Sequence, residues 1–284
     1  MSKARSPEND SDPFFADPFF AAHVPRKRFG QHFLHEAGII DRIARAVDPR
    51  PGQALVEIGP GEGALTFPLL ERIDRLTVVE LDRDLIPRLR ERAPPEVLEI
   101  VESDVLDVDF TALRARLARE PTQKLRVVGN LPYNISTPIL FHLLEHRDAI
   151  ADMQFMLQRE VVDRMAGAPG SKTYGRLSVM LQARCRVEPL FRVPAGAFRP
   201  PPKVESAVVR LTPRADGEVA IADATLFARV VRDAFSQRRK TLRNALSGVA
   251  DAAAIEAGGV DPKLRAEDVP VAAYVALANA LACT

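Results

Sequence analysis

Cysteine is scarce in this chain. Cys185 and Cys283 are the only two in 284 residues, too few for a disulfide framework, and such usage suits a reducing cytosol. Long apolar runs are missing too. The best stretch, Val271 to Ala282, is short and carries Tyr274 and Asn279, so it reads as a helix of a soluble protein rather than a bilayer span. The first residues lack the apolar block of a signal peptide, and a cytoplasmic chain is expected. With 46% hydrophobic and 27% charged residues the composition is that of an ordinary globular protein, which excludes wholesale disorder. At roughly 150 residues per domain, the length allows one large domain or two unequal ones.

The formal net charge is only +1, but it is unevenly spread. Residues 1–26 sum to −1, 27–139 to −2, 140–243 to +7 and 244–284 to −3. The third stretch is a candidate surface for a polyanion, because Arg and Lys on phosphates release counterions. A set of solvated faces is the plainer alternative.

Residues 1–25 are polar and repetitive, with Asp12-Pro-Phe-Phe recurring as Asp17-Pro-Phe-Phe, and read as a disordered leader. Beyond them the apolar period alternates. Helical spacing covers Ala37 to Val47, Ala64 to Ile73, Leu85 to Arg92 and Phe110 to Arg119. Extended runs cover Ala54 to Ile58, Leu76 to Leu81, Leu98 to Val101 and Leu125 to Val128. Ser136 or Thr137 is the expected cap of the next helix, with Pro138 in its first turn. This alternation predicts an α/β fold, a parallel sheet with helices on both faces. One more strand is expected at Ser206 to Leu211, and helices from there on. A leader 1–25, a main domain 26–212 and a helical domain 213–284 are therefore expected.

Ligands of such sheets bind beyond the carboxyl ends of the strands. The first strand runs into Glu57-Ile-Gly-Pro-Gly-Glu-Gly63. Gly59 and Gly61 permit a tight turn and close backbone approach. The third glycine follows after two positions instead of the three that a dinucleotide fold wants, which suits a cofactor without a pyrophosphate, such as S-adenosylmethionine. Glu80 ends the second strand, where a carboxylate can hold a ribose diol. Asp104 ends the third and is placed to accept from an adenine amine. The fourth strand ends in Asn130-Leu-Pro-Tyr133. The Asn130 oxygen and a backbone carbonyl at Leu131 or Pro132 can hold the two hydrogens of an exocyclic amine and direct its lone pair. Tyr133 offers a flat face for a base.

Asn130-Leu-Pro-Tyr-Asn-Ile-Ser-Thr137, with Gly30-Gln-His-Phe-Leu34 and Glu57-Ile-Gly-Pro-Gly61, resembles the ribosomal RNA adenine dimethyltransferases over about residues 26–284. Phe198, Pro200, Pro202, Val204 and Ser206 match the family's late signature, and Ser236 to Asn244 matches its small-subunit branch. The resemblance implies a Rossmann-like class I methyltransferase sheet with a smaller C-terminal helical domain that binds RNA or the ribosome. It implies S-adenosylmethionine as cofactor and, as substrate, two adjacent adenosines near the 3′ end of 16S rRNA within the small ribosomal subunit. Gln31, His32 and Leu34 would lie over the methionine side and Gly59 and Gly61 beneath it. Glu80 would bind the ribose, Asp104 the adenine, and Asn130 both cofactor and target amine. Tyr133 and Phe198 would sandwich the turned-out adenine. His32 stands where many relatives have Asn.

Arg239, Lys240 and Arg243 would share one helical face with Arg238 nearby, which suits an RNA backbone. Arg26-Lys-Arg28 is a second short basic cluster. His142 and His146 are spaced four apart, but no acidic third ligand follows and no metal is expected. A monomer is expected, with no membrane partner. The competing readings are a large-subunit rRNA adenine methyltransferase, a nicotinamide oxidoreductase, which the glycine spacing disfavours, and a non-catalytic ribosome assembly factor.

Overall fold

A computed structural model describes residues 32–215, 217–237 and 239–283. The expectations for the leader 1–25, for Arg26 to Arg28, and for Gln31 and Arg238 lie outside the described residues. The rest divides into two compact units, one taking the described residues through Gln158 together with Phe191–Val208, the other Arg159–Leu190 and the described residues from Val209.

The first unit opens with β1 (Phe33–Leu34) and α1 (Ala37–Val47), and continues through β2 (Leu55–Ile58), α2 (Thr66–Leu70), β3 (Leu76–Glu80), α3 (Ile86–Arg92) and β4 (Leu98–Glu102). α4 (Phe110–Leu117), β5 (Leu125–Asn130), α5 (Ser136–Glu145) and β6 (Ile150–Gln158) complete the alternation. The α1 sequence folds as its period demands: Ile40, Ile43, Ala44 and Val47 are buried, and Glu36 caps the helix by accepting from Gly38 and Ile39. Strands β4, β3, β2, β5 and β6 pair in that order, all parallel. In β2 every residue is buried, as expected for a central strand covered on both faces. The close approach of β5 to β2 needs glycine at 129: a Cβ there would stand 2.4 Å from the Ile58 carbonyl oxygen.

α6 (Arg159–Met165), α7 (Arg176–Gln182), β7 (Cys185–Val193), β8 (Phe198–Arg199) and β9 (Ser206–Pro213) follow, then α8 (Ala224–Ser236), α9 (Leu242–Ala245), α10 (Ala252–Ala257) and α11 (Val271–Ala282). β9 and β7 extend the strand order to β4-β3-β2-β5-β6-β9-β7, and β8 pairs with β1 in a separate ribbon.

The structure differs from expectation in several places. Ile135 takes the cap position of α5 without a side-chain bond; Ser136 is already helical and its hydroxyl donates to the Tyr133 carbonyl at 3.2 Å. Strands β6 and β7 were not anticipated; Pro189 in β7 and the mixed run Ile150–Gln158 hide the extended period. Arg239 and Lys240 are not helical: the chain turns there, with Lys240 N–H donating to the Gln237 carbonyl at 2.9 Å. Thr241 then bridges to Arg265, and only Arg243 of the exposed trio lies in α9. In the second unit, residues 159–190 group with the described C-terminal helices. Packed aromatics tie that unit together. The Tyr174 hydroxyl donates to the Val269 carbonyl at 2.8 Å, and Phe235 packs against both Tyr174 and Tyr274.

Candidate functional site

The carboxyl ends of β2, β3, β4 and β5 lie side by side because the strands are parallel and in register, with Ile58 opposite Val79 and Gly129, and Glu80 opposite Glu102. A cavity of about 280 Å³ opens there, lined by Gly59–Glu62, Glu80–Asp82, Ser103–Val105, Asn130–Ile135 and, from β1, His32–Leu34. That is close to the ~300 Å³ lower bound for small-molecule sites.

The turn after β2 has the backbone that its glycines allow: φ is +65° at Gly59 and +58° at Gly61, a region that side-chain-bearing residues disfavour. A Cβ at Gly61 would also press on the Phe33 ring at 3.2 Å. Glu80 locks this turn to the end of β3. Its Oε1 accepts from the N–H groups of Leu81 and Asp82 at 2.9 and 2.7 Å, and its Oε2 from Gly61 at 3.2 Å. A carboxylate has about four lone-pair sites, so one acceptor position of Glu80 remains for a ligand. Burial still raises its pKa, against the pull of those three bonds. Asp104 caps the short turn Val105–Asp107 by accepting from Leu106 at 3.0 Å through Oδ1, which leaves Oδ2 for a ligand.

At the end of β5 the Asn130 amide nitrogen donates to the His32 carbonyl at 3.0 Å. That bond leaves the Asn130 oxygen available as an acceptor. Of the two carbonyls considered from sequence, Pro132 already accepts from Ile135 at 3.2 Å. Among the described residues no backbone donor meets the Leu131 carbonyl. The Tyr133 hydroxyl is 2.6 Å from Ser206 Oγ, which fixes its ring edge, and burial raises its pKa.

A second ring stands beside Tyr133. Phe198 does not line the cavity. In-register pairing of β8 with β1 sets it opposite Leu34, and both are buried, at 1% and 2% exposure. His32 stacks on Tyr133 instead, with ring centroids 5.5 Å apart and planes at 28°, and its Nδ1 is 2.8 Å from the Pro200 carbonyl oxygen. Leu34 does line the cavity.

Lining residues not singled out from sequence include Phe33, Glu57, Glu62 and Asp82. An acid in the middle of the apolar run Leu55-Val-Glu-Ile58 was the available signal for Glu57. His142 and His146 are engaged elsewhere, with Val108 and Thr111 at 2.8 and 2.9 Å. Among the described residues no group of three or more His, Cys, Asp or Glu is arranged to hold a metal ion, and no helix is long and apolar enough to cross a membrane.

The sequence pattern of the ribosomal RNA adenine dimethylase family matches residues 22–283. The chain belongs to that family. This rRNA adenine dimethylase is 62% identical, over 255 residues, to a protein of Xanthomonas campestris pv. campestris (strain B100) named ribosomal RNA small subunit methyltransferase A; the match covers 89% of this chain and 95% of the relative. A dimethyladenosine transferase from Plasmodium falciparum superposes with a TM-score of 0.71 at 25% identity, covering 87% of this chain and 96% of that one. The 23S rRNA methyltransferase ErmE superposes at 0.66 and 26% identity, covering 88% and 99%. The dimethylase takes its methyl groups from S-adenosylmethionine. The cavity suits that donor: a cradle that glycines keep open and a wall of carboxylate acceptors match a cation carrying a diol and an exocyclic amine.

Proposed function

We propose that this dimethylase acts on two adjacent adenosines near the 3′ end of 16S rRNA in the small ribosomal subunit, as a cytoplasmic monomer. The kinship to proteins named for the small subunit supports this choice over large-subunit RNA. The observation that carries the chemistry is the acceptor pair at the end of β5, the Asn130 oxygen and the Leu131 carbonyl, both left open by their surroundings.

When bound, S-adenosylmethionine supplies a methyl group already activated by a sulfonium centre. The chain's own task is positional. Glu80 would take one ribose hydroxyl through its remaining acceptor position and Asp104 the adenine amine, while the Gly59–Gly61 turn and His32–Leu34 enclose the methionine part. Asn130 and Leu131 would hold the two hydrogens of the target amine, so that its nitrogen turns towards tetrahedral with the lone pair aimed into the cavity. Each methylation costs the amine one proton, which leaves to solvent; after the first a single hydrogen remains, which either acceptor can hold. Tyr133 would stack on the turned-out base. Unstacking a base costs about a few kcal/mol, and stacking on an aromatic returns about 1–3 kcal/mol. Phe198, buried opposite Leu34 here, would take the second face of the base in a substrate-bound state that uncovers it. The helical unit, with its exposed Arg239, Lys240 and Arg243, is assigned to the RNA backbone.

The test is incubation of the protein and labelled donor with small subunits lacking these methyl groups. Label in adjacent dimethyladenosines of 16S rRNA is expected. Label in 23S rRNA, or subunit binding without label, overturns the reading in favour of the large-subunit enzyme or the assembly factor.

A further inference from the structure

Two carboxyl groups of the cavity wall have no part in the mechanism above. Glu57, in central β2, is 1% exposed. Thr66 Oγ1 donates to its Oε2 at 2.7 Å, and among the described residues no donor reaches Oε1. Glu62 closes the glycine turn and is 8% exposed, and among the described residues none donates a hydrogen bond to its side chain. Both line the cavity, as do Glu80, Asp82, Asp104 and the imidazole of His32. On the outer side Arg88 of α3 acts on Glu62 through space, and Arg92 reaches only the Glu62 backbone carbonyl, at 3.5 Å.

A carboxylate taken out of water needs a partner charge or it keeps its proton. Burial pushes Glu57 up to about 8, with the charge of Glu80 pushing it further and Thr66 pulling back. Burial likewise pushes Glu62 up to about 7, with Arg88 pulling back. Among the described residues no cation hydrogen-bonds the side chain of Glu57 or of Glu62. The methyl donor has a fixed positive charge at sulfur, and its product, S-adenosylhomocysteine, has a neutral thioether at the same place.

We propose that Glu57 and Glu62 make the cavity sense the charge of its ligand: they release a proton to solvent when the cationic donor is seated, and take one back when sulfur becomes neutral. The O–H bond of a carboxylic acid breaks in the first direction and re-forms in the second, and no other reactant is needed. The product is then held less tightly than the donor, which favours exchange between successive methylations. This inference rests on the donor occupying this cavity.

The experiment is titration calorimetry of the full-length protein at pH 7.5, in two buffers of different ionisation enthalpy, with S-adenosylmethionine and with S-adenosylhomocysteine. Donor binding is expected to release up to about one proton per molecule, and product binding clearly less. Raising the pH from 6.5 to 8.5 should tighten donor binding several-fold more than product binding. Glu57→Gln and Glu62→Gln should each lower the proton count and shrink the preference for the donor. Equal proton release with both ligands overturns the proposal, and that comparison needs no variant. So does an unchanged preference in both variants. If neither ligand binds, the placement of the donor falls as well; normal binding with equal proton counts sinks this inference alone.

Discussion

The amide nitrogen of Asn130 donates to the backbone carbonyl of His32 at 3.0 Å, joining the end of β5 to the segment that enters β1. This bond leaves the Asn130 oxygen open as an acceptor, as the proposed hold on the target amine requires. Asn130→Ala is expected to lower kcat by about 10²–10³-fold, the usual effect of removing one positioned polar group, while RNA binding persists. Asn130→Asp keeps an acceptor but cannot donate to His32, and should also be slow. Single-turnover methylation of 16S rRNA checks both, and a normal rate in the alanine variant would overturn the assigned geometry.

Tyr133 has two separable contacts, its ring and its hydroxyl. Tyr133→Phe removes the 2.6 Å bond to Ser206 and should cost about 1 kcal/mol of stability with little loss of methylation. Tyr133→Ala removes the stacking face and should weaken use of the RNA by about 5–150-fold, the equivalent of about 1–3 kcal/mol. Phe198→Ala, at a buried position, should cost about 3–5 kcal/mol of stability and lower methylation while leaving donor affinity nearly intact. Thermal melts read beside KM for RNA distinguish these cases; equal losses from the two Tyr133 variants would contradict a stacking role.

Gly129 is the contact point of β5 with β2. The Cβ of Gly129→Ala would stand 2.4 Å from the Ile58 oxygen, closer than backbone atoms tolerate. The variant is expected to lose about 1–3 kcal/mol, read as a lower urea midpoint. An unchanged midpoint would mean that the strands separate at no cost.

Glu57 makes the ligand-free protein sensitive to pH. Folded, its carboxyl keeps a proton up to about 8, against an ordinary 4.5. Between those values the folded state binds more protons than the unfolded one, so stability falls as pH rises through that window. Melting temperatures at pH 5, 7 and 9 should therefore decline in the wild type. Glu57→Gln should flatten the decline, and an identical pH profile in the variant would show that the carboxyl is already ionised when folded.

Arg239 and Lys240 are exposed on the turn into α9, and Arg243 is exposed within the helix. If they meet phosphates, reversing Arg239 and Lys240 to Glu should weaken RNA binding across sequences. The slope of log K against log salt should also fall by about 0.7–0.9 per lost contact. An unchanged slope would remove this turn from the RNA surface.

The order of β2, β3, β4 and β5, and the polar residues closing each, were legible because apolar period and glycine turns are local signals. Glu80, Asp104 and Asn130 could be named from position alone, since parallel strands deliver their carboxyl ends to one place. The identity of the family was legible for the same reason, in the short motifs at Glu57 to Gly61 and Asn130 to Tyr133. Other features arise from contacts between distant residues. Thr241 pairs with Arg265, which turns a stretch with helical spacing into a bend. Phe198 is buried by pairing with Leu34, and His32 comes to rest on Tyr133. Residues 159–190 join the C-terminal helices through Tyr174 and its partners. Glu57 and Glu62 have raised pKa values because the folded chain buries them. Periodicity is written within a window of a few residues, whereas desolvation and register depend on what lies opposite, and that is settled when the chain closes on itself.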